Sequence, residues 1–217
     1  MVEHVDPPPG KKWDASTLGP PQAELAKANR MSPAGISLFY GSRDPQTAIA
    51  EIAQTSIHTC AVIGEFRLTT GIQILDLTNI EDVERIQGSM FDDKHRNRAI
   101  MRNFLADFVR QVTKPVIPDG REHYEYAPTQ VLTEFLRSTT TTAMVGIAFP
   151  SSIKPNGTNV VLFYDHCNVT DQPVEPGPDA SEGALTLGPG DIAFYAVTRD
   201  TKGELLPPGS ATIGNPQ

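Results

Sequence analysis

Arg30, Tyr40 and Glu51 fall within one short stretch and carry three different kinds of chemical reach. A guanidinium is a planar, permanently charged fork that matches phosphate oxygens. A carboxylate sets negative charge beside a developing cation and accepts hydrogen bonds from hydroxyls that strengthen as that charge builds. An aromatic ring at a strand end stacks on a flat ligand and excludes water. Ser152, after a later apolar run, adds a hydroxyl able to orient a ligand hydroxyl or carboxamide, and Ser151 beside it offers the same group. Taken singly, each has an ordinary reading: a solvated arginine, a helix-surface carboxylate, a core tyrosine with its hydroxyl at the rim, a loop serine.

The elements around these residues decide whether they meet. Residues 23–29 suit a short helical piece, Ser32-Pro33-Ala34-Gly35 a turn, and the apolar run 36–41 a buried strand that ends near Tyr40. Asp44 followed by Pro45 is a helix start, because an Asx side chain caps free amides and proline is pre-organised for the first turn. Ala48, Ile49, Ile52 and Ala53 form that helix's apolar stripe, and Glu51 sits beside it, carried toward a neighbouring strand's edge. Runs 58–69 and 71–78 read as strands joined near a glycine. Ile100, Met101, Phe104, Leu105, Phe108, Val109 and Val112 recur at helical spacing, which predicts an amphipathic helix from about Asp93 to Val112. Pro128 is expected to open another helix with Val131, Leu132, Phe135 and Leu136 buried. Runs 144–149, 158–165 and 191–197 are strand-like, the last after a turn at Gly188-Pro189-Gly190. Strands and helices mix without regular βαβ alternation, so the expected class is α+β in a single domain. That domain is expected over 22–200, between a proline-rich arm at 1–21 and a tail at 201–217.

Several function classes lose support. There is no GxGxxG after a strand, no GxxxxGK[ST], no HExxH and no CxxC pair, and the five histidines lack ligand spacing, so no metal is expected. A net charge of −8 disfavours a phosphate backbone. The arginines at 96, 98, 102 and 110 have Asp92, Asp93 and Asp107 among them and read as a solvated helix face, so no nucleic-acid partner is expected. No run reaches the roughly 18 apolar residues that span a bilayer, and the first residues lack a secretory apolar core. The expectation is a cytosolic protein, without a membrane partner, whose Cys60 and Cys167 stay reduced.

The segment at 29–53 resembles the RES domain, a family named for an arginine, a glutamate and a serine. Arg30, the Pro33-Ala34-Gly35 turn, Tyr40, Thr47-Ala48 and Glu51 fill the places of its first pattern. A second block, 124–138 followed by 145–165, is similar to the family's helix entered at Pro-Thr-Gln, strand ending in Pro-Ser-Ser, and Gly-x-Asn before an apolar strand. Ser152 is taken for the family serine, with Ser151 adjacent. The resemblance implies a fold like that of ADP-ribosyltransferase toxins, in which split small sheets flanked by helices clamp NAD⁺. It implies NAD⁺ as a substrate rather than a cofactor, cleaved between nicotinamide and ribose by a glycohydrolase or phosphorylase. It also implies a toxin held silent by an antitoxin or immunity protein. Glu51, Arg30 and Tyr40 would then act in catalysis, and Arg30, Tyr40, Ser152 and Ser151 in holding the dinucleotide. Gln130 would support from behind. Two alternatives stand beside this reading: transfer of ADP-ribose to a particular protein, and an inactive RES-like module that binds without turnover.

Overall fold

A computed structural model of the chain describes residues 12–54, 56, 58–80, 91–114, 122–139, 144–171, 185–197 and 212–213. Most of the expected arm at 1–21 and of the tail at 201–217 lies outside them. The described part of the arm holds a helical turn, α1 (Ala15–Leu18), capped by Asp14 and tied down where the Ala15 amide donates to Asp171 at 2.6 Å. The helix expected over 23–29 is only one 3-10 turn at Ala23–Leu25. Gly35 then takes φ +86 in the turn closed by the Ile36 amide on the Pro33 carbonyl, a conformation a side chain would strain.

The fold is α+β, with two mixed four-stranded sheets and helices packed on them. The first sheet runs β1 (Phe39–Ser42), β5 (Thr158–Leu162), β4 (Met144–Pro150), β3 (Gln73–Asp76). Its β3–β4 pair is parallel and the others are antiparallel. In the second sheet β7 (Leu185–Ala196) pairs with β2 (Cys60–Leu68) on one side, and with β6 (Val169–Thr170) and β8 (Thr212–Ile213) on the other. The glycine-proline-glycine run is not a turn ahead of a strand at 191–197 but an irregularity inside β7. Gly64 faces Ile192 while Phe66 faces Leu187, so the extra residues of β7 loop out, closed by the Gly188 amide on the Asp191 carboxylate at 3.0 Å.

Both faces of the first sheet are covered. One face, with Ile147 and Val161 at 0% exposure, meets α3 (Asp93–Thr113) through Phe108, Val109 and Val112, and Leu132 and Leu136 of α4 (Glu122–Thr139). Burial on that scale contributes on the order of 2 kcal/mol for each large aliphatic side chain. The other face puts Leu162, Phe39 and Val160 against Phe66 and Leu185 of the second sheet. α2 (Pro45–Ala53) lays Ile49 and Ala53 on Ala61 and Val197 of the second sheet while it also touches β1 and β5. It is the element that bridges the two sheets.

Two helix expectations need correction. Pro128 lies inside α4, not at its start, and Val131 and Phe135 point outward at 70% and 57% exposure. Leu132 and Leu136 do pack on the core, and the buried face also carries Thr129 and Thr133, whose hydroxyls bond backbone carbonyls and so enter the core satisfied. On α3 only the second half of the apolar stripe is covered, and Ile100, Met101 and Phe104 are exposed. Arg96 and Arg110 pair with Asp93 and Asp107 on that helix, as a solvated face would. Among the described residues no helix is long and apolar enough to cross a membrane.

Candidate active site

Glu51 owes its position to the start of α2. The Asp44 carboxylate accepts from the Thr47 amide at 2.9 Å and the Thr47 hydroxyl at 2.6 Å, and Pro45 occupies the first turn. Burial pushes the Asp44 carboxyl up, but hydrogen bonds from Lys154 and Thr47 outweigh it and hold it at about 2. Lys154 donates to Asp44 at 2.8 Å and to Gln46 at 3.0 Å, which ties the helix start to the turn between β4 and β5.

That turn is built by Pro155 and Asn156, with Asn156 at φ 62 and the Gly157 amide donating to the Lys154 carbonyl at 3.0 Å. A Cβ on Gly157 would stand 2.6 Å from the Thr47 hydroxyl, which is fully buried. Gly157→Ala should therefore cost about 1–3 kcal/mol, the usual range for overpacking. A melting temperature equal to wild type would show that the turn and α2 are not locked together.

The turn delivers Ser151 to Glu51. The Ser151 hydroxyl donates to Glu51 Oε1 at 2.8 Å and accepts from the amides of Ile153 and Lys154 at 3.1 and 3.0 Å. Asn159, on β5, donates through Nδ2 to the same Oε1 at 2.6 Å. Glu51 Oε2 has no hydrogen-bond partner among the described residues. Ser152 is exposed and makes no hydrogen bond to Glu51, so of the two adjacent serines the structure brings Ser151 to the carboxylate. Ser151→Ala should slow any reaction that depends on Glu51 by about ten-fold, more than Ser152→Ala does, since only Ser151 stabilises the carboxylate's charge. Equal losses in the two variants would contradict that assignment.

Arg30 approaches from the turn before β1. Its Nη1 donates to the carbonyls of Gln111 at 3.3 Å, Val112 at 2.6 Å and Lys114, so one arm of the fork caps the C-terminal end of α3. The remaining N–H groups have no protein partner among the described residues. Burial lowers the guanidinium's pKa, opposed by Tyr126, Glu51 and Glu125. The charge of Glu51 thus reaches Arg30. The Tyr126 ring centroid is 6.0 Å from the guanidinium. The backbone of this turn is pinned by Thr129, which donates to the Arg30 carbonyl, and by Gln130, which donates to the carbonyls of Asn29 at 2.8 Å and Ser32 at 3.1 Å.

Tyr40 is 40% exposed as a residue, and its hydroxyl lies 3.0 Å from the Ser32 hydroxyl. Burial of that hydroxyl pushes its pKa up to about 12, against hydrogen bonds from Ser32 and the Met31 backbone. It stays neutral at any physiological pH. Period-two alternation sets Tyr40 and Ser42 on one face of β1, opposite Val161 and Asn159 of β5.

The family model described as the RES domain matches residues 3–187. The chain belongs to the RES-domain family. No curated protein and no solved structure matches it. The RES match contains every residue of the cluster just described and begins within the proline-rich arm.

The sequence alone does not mark Asn159 as a site residue, although it closes the Gly-x-Asn spacing of the second block. Its neighbours, Thr158 and Val160, read only as strand. Away from the cluster, Asp165, His166 and Cys167 lie together at a 3-10 turn, where Asp165 accepts from the Cys167 amide at 2.8 Å as its cap. Cys60 and Cys167 are both free thiols.

Proposed function

We propose that this RES-domain protein cleaves the bond between nicotinamide and ribose in NAD⁺. The observation that carries the reading is the state of Glu51: one carboxylate oxygen is held by Ser151 and Asn159, and the other has no partner among the described residues. Membership of the RES-domain family is consistent with an NAD-related substrate.

As the glycosidic bond breaks, its electron pair leaves with nicotinamide, which departs neutral, so no general acid is required. The ribose gains oxocarbenium character. Glu51 Oε2 offers negative charge to that cation and an acceptor for a ribose hydroxyl, both stronger in the transition state than before it. The free N–H groups of Arg30 suit the diphosphate, and the Tyr40 ring suits a flat ring or ribose face. Ser152, exposed one residue from the Glu51 contact, is close enough in sequence to meet a carboxamide or hydroxyl of the bound dinucleotide. Water or inorganic phosphate then completes the reaction at the anomeric carbon.

A cell that makes such an enzyme needs it silenced, which favours a separate neutralising protein that covers Glu51. Induction of the wild-type chain alone should stop growth and drain cellular NAD⁺, with rescue by Glu51→Gln. Growth and NAD⁺ are measured in the same cultures. Abundant folded protein with undiminished NAD⁺ would overturn the toxin reading.

A further inference from the structure

We propose that Asn159, locked by Ser42, is the positioning residue that fixes the Glu51 carboxylate and reserves Oε2 for substrate. The inference rests on the reading of Glu51 given above, and it adds a specific division of labour between the two carboxylate oxygens.

A glutamate on a helix surface has three side-chain torsions and loses substantial rotamer freedom when held in one place. Ser151 alone supplies one hydrogen bond, about which the carboxylate can still pivot. Asn159 supplies a second, at 2.6 Å, to the same oxygen from β5. Two donors that converge on Oε1 from β5 and from the β4–β5 turn fix the plane and direction of the group. Both lone-pair directions of Oε1 are then in use.

An asparagine can do this only if its amide faces the right way. Turned over, it would set its carbonyl oxygen against the carboxylate, a repulsive pair in place of an attractive one. The acceptor-only carboxylate turns Nδ2 toward Glu51, and the Ser42 hydroxyl holds the amide that way from its other end, donating to Asn159 Oδ1 at 2.8 Å across the β1–β5 register. Ser42 and Tyr40 lie on the same face of β1, so this strand orders the stacking ring and the orienting network together. The relay Ser42–Asn159–Glu51 is paired donor to acceptor at each link. A polar chain paired at each link favours this one geometry over the alternatives.

Asn159→Ala should lower kcat by roughly 10–100-fold, the scale for losing a group that orients a functional carboxylate, with KM for NAD⁺ changed less than about two-fold. Ser42→Ala should give a smaller loss of kcat, and Ser42→Thr, which keeps the hydroxyl, should restore most of it. The discriminating variant is the double one. If Asn159 acts through Glu51, Glu51→Gln/Asn159→Ala turns over no more slowly than Glu51→Gln alone. Multiplicative losses, or wild-type kcat in folded Asn159→Ala, would overturn the proposal while leaving Glu51 in its role. Wild-type turnover in Glu51→Gln would instead overturn the reading of the site. A crystal structure of Asn159→Ala decides the positioning claim without any turnover: the Glu51 carboxylate should leave its wild-type place, and an unmoved carboxylate contradicts the proposal. If Asn159→Ala does not fold, the Ser42 pair carries the same test, since equal kcat in Ser42→Ala and wild type removes the lock.

Discussion

Glu51→Gln lowers NAD⁺ cleavage by at least ~10²-fold in a protein that folds normally, the scale of loss when one electrostatic stabiliser is removed. The substitution keeps size and shape and removes only the charge. The Ser151 hydroxyl and the Asn159 amide can still donate to the glutamine carbonyl oxygen, so the network of the ground state survives. What disappears is the negative charge facing the developing cation. The loss should therefore fall on kcat more than on KM, because that interaction strengthens only as the bond breaks. Circular dichroism and a melting curve establish that the variant is folded. Turnover within a few-fold of wild type would remove Glu51 from the chemistry.

Arg30→Ala has two effects, and the geometry separates them. The guanidinium caps the last carbonyls of α3 with one arm, so its loss leaves the carbonyls of Val112 and Lys114 without that donor. Hydrogen bonds that involve a charged partner are worth about 1.5–3 kcal/mol, which in a chain of this size lowers the melting temperature by several degrees. The second effect is on the dinucleotide: loss of a charged partner for the diphosphate should weaken NAD⁺ binding by at least ~10-fold. Arg30→Lys retains the charge without the planar fork, so it should recover only part of either property. Calorimetry on the folded variants, below their melting temperatures, measures affinity apart from stability. Lower stability with unchanged affinity would confine Arg30 to helix capping.

What could be seen in the sequence was local. The capped start at Asp44-Pro45 and the apolar stripe after it place Glu51 on the edge of α2, because both follow from positions within one helix. The choice between Ser151 and Ser152 was not local. Side chains alternate at the end of a strand, so a shift of one residue reverses which hydroxyl faces α2, and the deciding contacts come from a residue a hundred positions away. Arg30 shows the same limit. Its spacing to Gly35 and Tyr40 is visible, but its bond to the end of α3 depends on packing between distant segments. On α4, hydrophobicity pointed to Val131 and Phe135 as core, whereas the buried face is set by threonines that bond backbone carbonyls. Asn159 stood in view as part of a spacing, yet its partner Ser42 lies on another strand, and neither residue is unusual alone.

Release of nicotinamide from NAD⁺ by the purified protein is the most direct measurement of the central claim. Chromatography of the reaction, run with and without inorganic phosphate, follows both the base and the ADP-ribosyl product. One nicotinamide should appear for each NAD⁺ consumed, at least ~10²-fold more slowly with Glu51→Gln. If phosphate is the acceptor, its removal should slow the reaction, and if water is, the rate should not change. NAD⁺ recovered intact after incubation with folded wild-type protein under both conditions would contradict the account.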